Sequence, residues 1–396
     1  MLWRTSLNVE GFRAAGVRCG LKKSGAPDLA LIVSDREAAA AGVFTTHRVP
    51  GAPVVVSRQR VRRGVAQAIV ANSGNSNVAT GAQGLRDARR MGDEVGALVG
   101  VRGAHVLIAS TGMIGVPLPM DRVCAGIGKA ASELKPGGLA SAARAIMTTD
   151  TKPKTAGVRT RAFSIAGIAK GSGMIQPNMA TMLAFLVTDA PVEPEFLRAV
   201  LREAAGATFN RFTIDGEMST SDMTLVLANG AAGGSALSAG RNGARTREFV
   251  SALQTVCSEL VEQLAVDGEG VTRIADILVH GARSDGEAER VARKVGNSAL
   301  FKTALFGADP NWGRIVQAAG AAGVAFAPSD LSVKIGGAEL MRCGEPRIDR
   351  KPEAAKVMKQ KRVPIEICVG SGPGRARVLT TDLSYDYVRI NAEYST

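Results

Sequence analysis

Short aliphatic runs closed by turn residues constrain this chain more than any other feature. "DLALIVSD" (28–35), "PVVVS" (53–57), "AQAIVAN" (66–72) and "AHVLIAS" (104–110) are too short for buried helices and rich in β-branched residues. They read as buried strands. Helical patterns separate them. In "GLRDARRMGDEVGALVG" (84–100), Leu85, Ala88, Met91, Val95 and Leu98 recur at three- and four-residue steps, which leaves Arg86, Arg89, Arg90 and Asp93 for water. The segments 194–209 and 246–265 read as further amphipathic helices, the second with Thr246 as its N-cap and Glu248 in its first turn. Late runs at 331–337, 363–370 and "YDYVRIN" (385–391) read as strands again. Aromatics supply only 4% of the 396 residues, so the core of this α/β mixture rests on Ala, Val, Leu and Ile. The small, glycine-rich stretch 229–244 reads as a surface loop or linker.

Several classes of function are disfavoured. No apolar run approaches the roughly 18 residues that a membrane span needs. "MLWRTSLNVEGFRAAG" has no apolar h-region, so a cytoplasmic enzyme is expected. Cys19, Cys124, Cys257, Cys343 and Cys368 are scattered without a C-x-x-C, which predicts reduced thiols and no structural metal. The net charge of +13 gathers in "RQRVRR" (58–63), "DARRM" (87–91) and 349–362, with no interleaved aromatics to stack bases. These basic runs read as solvated surface rather than a nucleic-acid site. "GSGPGR" (370–375) has Arg375 in place of the third glycine of a dinucleotide fingerprint, and neither a P-loop nor H-E-x-x-H occurs.

The chemistry concentrates in "KGSGMIQPNMATMLAF" (170–185). Thr181 follows the small residue Ala180. No histidine is near it, and the chain has only His47, His105 and His280. A threonine can do without a histidine if the bond before it is cleaved. Its new α-amine, with an unperturbed pKa of about 7.7–8.0, then serves as base for its own hydroxyl. Gly171 and Gly173 let backbone approach a substrate, and Pro177 holds Gln176 extended. On its own, a threonine in an apolar segment reads as an ordinary core residue.

The wider sequence changes that reading. "GIAKGSGMIQPNMATMLAFLVTDA" (167–190) resembles the cleavage-site segment of the ornithine acetyltransferases of arginine biosynthesis, the bifunctional glutamate N-acetyltransferase/amino-acid acetyltransferase family. "ANSGNSNVATG" (71–81), "ASTGMIG" (109–115), "AIMTTDTKPK" (145–154), "FNRFTIDGEMSTSD" (209–222), "DGEGVTR" (267–273), "TALFGADPNWGRI" (303–315) and "YDYVRINAEYST" (385–396) resemble further family segments in the same order.

The resemblance implies a layered helix–sheet fold like that of the self-processing DmpA-type aminopeptidases. It implies cleavage between Ala180 and Thr181 into an α chain, 1–180, and a β chain, 181–396, which share one interwoven core with room for a smaller C-terminal lobe. An α2β2 heterotetramer follows from it. Thr181 would take the acetyl group of N2-acetylornithine as an ester and pass it to glutamate. Thr111 and Gly112 carry over as the oxyanion hole, and Thr148, Lys170, Thr181, Glu269, Asn391 and Thr396 as substrate contacts. No cofactor or metal is implied, and acetyl-CoA enters only as an additional acetyl donor. An autoprocessed amidase or aminopeptidase is the alternative on the same fold. The chain departs from the family at Val78–Ala79, at Glu217–Met218 and in 377–383, where a tryptophan is missing. These departures bear on substrate preference and leave the reaction intact.

Overall fold

The structure is a computed structural model that describes residues 7–176, 182–240 and 243–393. Its strands are β1 (Phe12–Val17), β2 (Leu29–Phe44), β3 (Val65–Asn75), β4 (Val106–Met113), β5 (Lys154–Arg159), β6 (Ser164–Lys170), β7 (Leu183–Thr188), β8 (Phe212–Thr213), β9 (Met223–Ala228), β10 (Ile274–Gly281), β11 (Ser332–Ile335), β12 (Ala338–Arg342), β13 (Glu345–Pro346), β14 (Arg362–Cys368) and β15 (Gly372–Thr381). The helices are α1 (Ala52–Val61), α2 (Gly81–Val99), α3 (Met120–Ser132), α4 (Leu139–Ala145), α5 (Pro194–Ala207), α6 (Ala244–Val266), α7 (Asp285–Gly296), α8 (Ala299–Phe306), α9 (Trp312–Gly320), α10 (Lys351–Met358) and α11 (Tyr385–Glu393).

Two mixed sheets organise the chain. The first runs β4-β3-β2-β9-β7-β6-β5, with β1 on β2. Its middle strands are apolar at nearly every position because both faces are covered. Leu183, Phe185 and Val187 of β7 face α4, while Ala184 and Leu186 face α5 and α6. Strands β7 and β9, from beyond position 180, sit between β2 and β6, from before it. Helices α2 and α3 cover the β3–β4 end. The second sheet runs β13-β12-β11-β14-β10-β15-β8 and packs one face on α7 to α10. Strand β8, which pairs with β15, carries the chain from the second sheet toward β9 in the first.

The strands expected over 28–35, 66–72, 104–110, 331–337 and 363–370 are present, as are the three amphipathic helices. Three expectations are corrected. "PVVVS" (53–57) lies in helix α1, with Pro53 in its first turn. The segment fits a helix because Val54 and Val56, with Val61 further along α1, pack inward while Val55 faces out, and the Ser57 hydroxyl bonds the backbone of Ile108 at 2.6 Å. "YDYVRIN" (385–391) is helix α11. Thr246 is not an N-cap: helix α6 begins at Ala244 after Gly243, and Thr246 is buried inside its first turn. The described part of 229–244 is turn and loop up to the start of α6. The basic runs fall on or beside α1, α2 and α10, where Arg60 is not free but donates to the carbonyl of Val106 at 2.7 Å. All five cysteines are free thiols. Among the described residues, no helix is long and apolar enough to cross a membrane, and no side-chain group would hold a metal ion.

Candidate active site

A cavity of about 150 Å³ opens where the ends of β4 and β6 meet the loops 219–222 and 267–270 and helix α11. It gathers Thr111, Gly112, Thr148, Lys170, Glu269 and Asn391. Ile175 and Met182 line it too, so the chain borders the cavity on both sides of residues 177–181. Ala180, Thr181 and Thr396 lie outside the described residues.

Thr111 and Gly112 end β4, which runs parallel to β3. The pairing is irregular here, and a side chain on Gly112 would collide with the backbone of Gly74 at 2.4 Å. Its φ of +126° also belongs to glycine. Glycine at 112 therefore lets β4 pack close on β3 where the strand meets the cavity.

Lys170 closes β6, opposite Leu183 of β7. Its ammonium donates to the hydroxyl of Thr148 at 3.2 Å. Burial pulls its pKa below the usual lysine value, while the carboxylates of Asp150, Asp222 and Glu269 pull it back up. A lysine so placed is not a surface charge but a held cation facing a polar cavity.

Glu269 is only 9% exposed, and it accepts from the amide of Asn391 at 2.8 Å. Gly173 is glycine because Glu269 fills its side-chain position, with the carboxylate oxygen 2.2 Å from where a Cβ would stand. Helix α11 brings Asn391 to Glu269 and, one turn earlier, the Tyr387 hydroxyl to Asp215 at 3.2 Å. A strand over 385–391 would have produced a different face.

Sequence reasoning missed two carboxyls. Asp215 accepts from the backbone N–H of Met174 at 2.6 Å and of Ile175 at 2.8 Å, which fixes the approach to Gln176. Asn297 then holds the Gln176 side chain at 2.5 Å, and on the far side Met223 donates to the carbonyl of Met182 at 2.9 Å. Asp222 lines the cavity at 3% exposure, and its Oδ2 has no hydrogen-bond partner among the described residues. Burial drives its pKa well above the ordinary carboxyl value, with Ser219 and Lys170 opposing. Both belong to "IDGEMSTSD", a segment read for its resemblance but not residue by residue. Two acidic residues flanking a Gly-containing loop between apolar strands were the available signal.

A small cavity, lined from both sides of one chain segment and built around a half-buried lysine and buried carboxyls, marks an enzyme for a small charged substrate on a layered α/β fold. The chain belongs to the ArgJ family, whose model matches residues 13–396. It is 46% identical to the arginine biosynthesis bifunctional protein ArgJ of Geobacter sulfurreducens, over 98% of this chain and 100% of that one. It is 47% identical to the protein of the same name from Symbiobacterium thermophilum, over 98% and 97%. Among solved structures, the ArgJ bifunctional protein of Bacillus halodurans is similar at 39% identity and a TM-score of 0.52, covering 54% of this chain and 100% of the crystallised one.

Proposed function

We propose that this enzyme transfers the acetyl group of N2-acetylornithine to glutamate through an acetyl ester on Thr181, a step of arginine biosynthesis. One observation carries the reading beyond family membership. All six candidate site residues that the structure describes line a single cavity, and that cavity is bordered by the residues leading into and out of 177–181.

Cleavage between Ala180 and Thr181 gives the threonine an α-amine near neutral pKa. The amine takes the hydroxyl proton as the oxygen attacks the acetyl carbonyl. The tetrahedral oxyanion receives hydrogen bonds at Thr111 and Gly112, and the lack of a side chain on Gly112 supports that role. One such donor is worth roughly 2.7–4 kcal/mol of barrier. Collapse returns the proton to the departing nitrogen of ornithine and leaves the ester. Glutamate then repeats the sequence in reverse and departs as N-acetylglutamate. Donor and acceptor share an α-carboxylate and differ in the sign of the side-chain terminus. Lys170 with Thr148 suits the shared carboxylate. Glu269, oriented by Asn391, suits the ornithine ammonium, with Thr396 as a further substrate contact. The small cavity favours exclusion of water from the ester.

The two products are residues 1–180 and 181–396, paired as an α2β2 assembly. Interleaving of β7 and β9 with β2 and β6 supports a cut that leaves the core closed. The Bacillus halodurans crystal chain covers 54% of this one, about the share of residues 181–396. The relatives are named bifunctional, which fits a second activity, and we propose acetyl-CoA as the further acetyl donor. Free thiols fit a cytoplasmic enzyme.

Incubation with acetylornithine and glutamate tests the reading. The expected product is N-acetylglutamate, and Thr181→Ala abolishes both cleavage and transfer. Acetate as the main product identifies a hydrolase instead.

A further inference from the structure

Among the described residues, Lys154 is the largest side chain buried almost completely, at 1% exposure. It stands between two carboxylates, Asp150 and Asp267, and bonds both. Burying three charges in this way costs several kcal/mol per ion in desolvation, repaid only by close geometry and further hydrogen bonds. The further bonds explain what the group does. Asp150 accepts from the backbone N–H of Thr148 at 2.8 Å and from that of Gly171, next to Lys170, at 2.7 Å. Asp267 accepts from the backbone N–H of Thr151 at 3.0 Å and of Lys152 at 3.2 Å, and from the Thr151 hydroxyl. Two residues on, the N–H of Glu269 donates to the carbonyl of Ser172 at 2.8 Å, and Ser172 shares a 2.6 Å hydrogen bond with Thr149. Three stretches far apart in sequence, 148–154, 170–173 and 267–269, are thus locked together around one ammonium. Each contributes a cavity residue, and the third lies beyond position 180.

We propose that the buried Asp150–Lys154–Asp267 triad is the positioning device of the substrate-gripping side, holding Thr148, Lys170 and Glu269 in one arrangement across the two sides of position 180. None of the three need touch substrate. The triad fixes where the gripping groups stand and, through Asp150, keeps a negative charge behind Lys170. This inference rests on the acetyl-transfer reading and deepens it.

The charge argument gives a readout that a merely structural role would not move. Lys170 is faced by the carboxyls of Asp150, Asp222 and Glu269 and by the cations of Lys154 and Lys22. Among the charges opposing its burial, Asp150 is the largest. Neutralising Asp150 lets Lys170 lose its proton at lower pH, and a neutral lysine no longer holds a carboxylate.

The test is the pH dependence of kcat/KM for Asp150→Asn in the full-length, self-processed protein. The alkaline limb moves to lower pH. KM for acetylornithine and for glutamate both rise, by about 10- to 100-fold, the range of a charged hydrogen bond. Asp150→Glu keeps the charge but displaces the carboxylate, so its KM rises while its alkaline limb stays with the wild type. Asp276→Asn, on the second sheet and away from the cavity, leaves both unchanged. Wild-type KM and limb in Asp150→Asn, or failure of both Asp150 variants to fold, overturns the positioning role. A wild-type protein that makes no N-acetylglutamate refutes the acetyl-transfer reading instead, so the two failures are told apart.

Discussion

Two ion networks in this molecule use the same chemistry in opposite surroundings. In the first, Lys154 bridges Asp150 and Asp267 with almost no access to water. In the second, Arg362 of β14 and Arg377 of β15 share Asp276 of the strand between them, β10, and Arg362 also reaches Glu262 of helix α6 at 2.7 Å. Both tie together segments remote in sequence. The second is wet, with Arg377 59% exposed. The difference teaches that pairing alone says little about consequence. Where water can replace a lost partner, an ion pair is nearly neutral. Where it cannot, every hydrogen bond made by the ions depends on all of them.

The largest effect that sharpens this contrast is Lys154→Met. It leaves two buried carboxylates facing each other, and the expected loss is about 3–5 kcal/mol in a urea titration. A loss under 1 kcal/mol would mean that water enters the triad and that the two networks are alike. The next effect comes from a buried acid with one carboxyl oxygen unpaired among the described residues. Burial raises the pKa of Asp222, so the folded state binds its proton more tightly than the unfolded state does. Its ionisation therefore lowers stability as pH rises from near 4 toward its raised value. Asp222→Asn is expected to raise stability at pH 8 by on the order of 1 kcal/mol, with the gain vanishing near pH 4, and to impair transfer. Asp276 has the opposite sign. Burial alone would raise its pKa, but Arg377 and Arg362 hold it below the ordinary value, so its stabilising share is present above pH 4 and lost on further acidification. Equal pH slopes for the Asp222 and Asp276 variants would break the contrast. The smallest effect is that of Arg377→Ala, expected to cost about 0.2–1 kcal/mol, and less in 1 M salt. The Lys154 variant should show no such relief by salt.

Legibility in the sequence follows the same division between dry and wet. In the first sheet, β2, β3 and β4 were read from the short apolar runs 28–35, 66–72 and 104–110, whereas β7, with the equally apolar run "LAFLVT", was not read as a strand because that segment was weighed for Thr181 instead. "PVVVS" misled because its valines satisfy a strand pattern. Only packing on β4, through Ser57 and Val54, decides for a helix. "YDYVRIN" misled for a different reason: α11 is largely exposed, so no apolar face announced its period. Thr111, Gly112, Thr148, Lys170, Glu269 and Asn391 were found by resemblance, and nothing in their spacing places them together. The triad was not found at all. Asp150 and Lys154 look like a helix-spaced surface pair, and nothing local to "TTDTKPK" says that Asp267 will close over them. Asp222 was hidden likewise, since its missing partner is a property of three dimensions.

The central claim is that Thr181, freed by cleavage, carries the acetyl group. The most direct measurement is the mass of the protein after incubation with acetylornithine alone, followed by sequencing of the modified fragment. The account predicts two fragments, with one acetyl group on the one that begins at Thr181, and its loss on addition of glutamate. Transfer by an uncut chain, or an acetyl group found at any other residue, would contradict it.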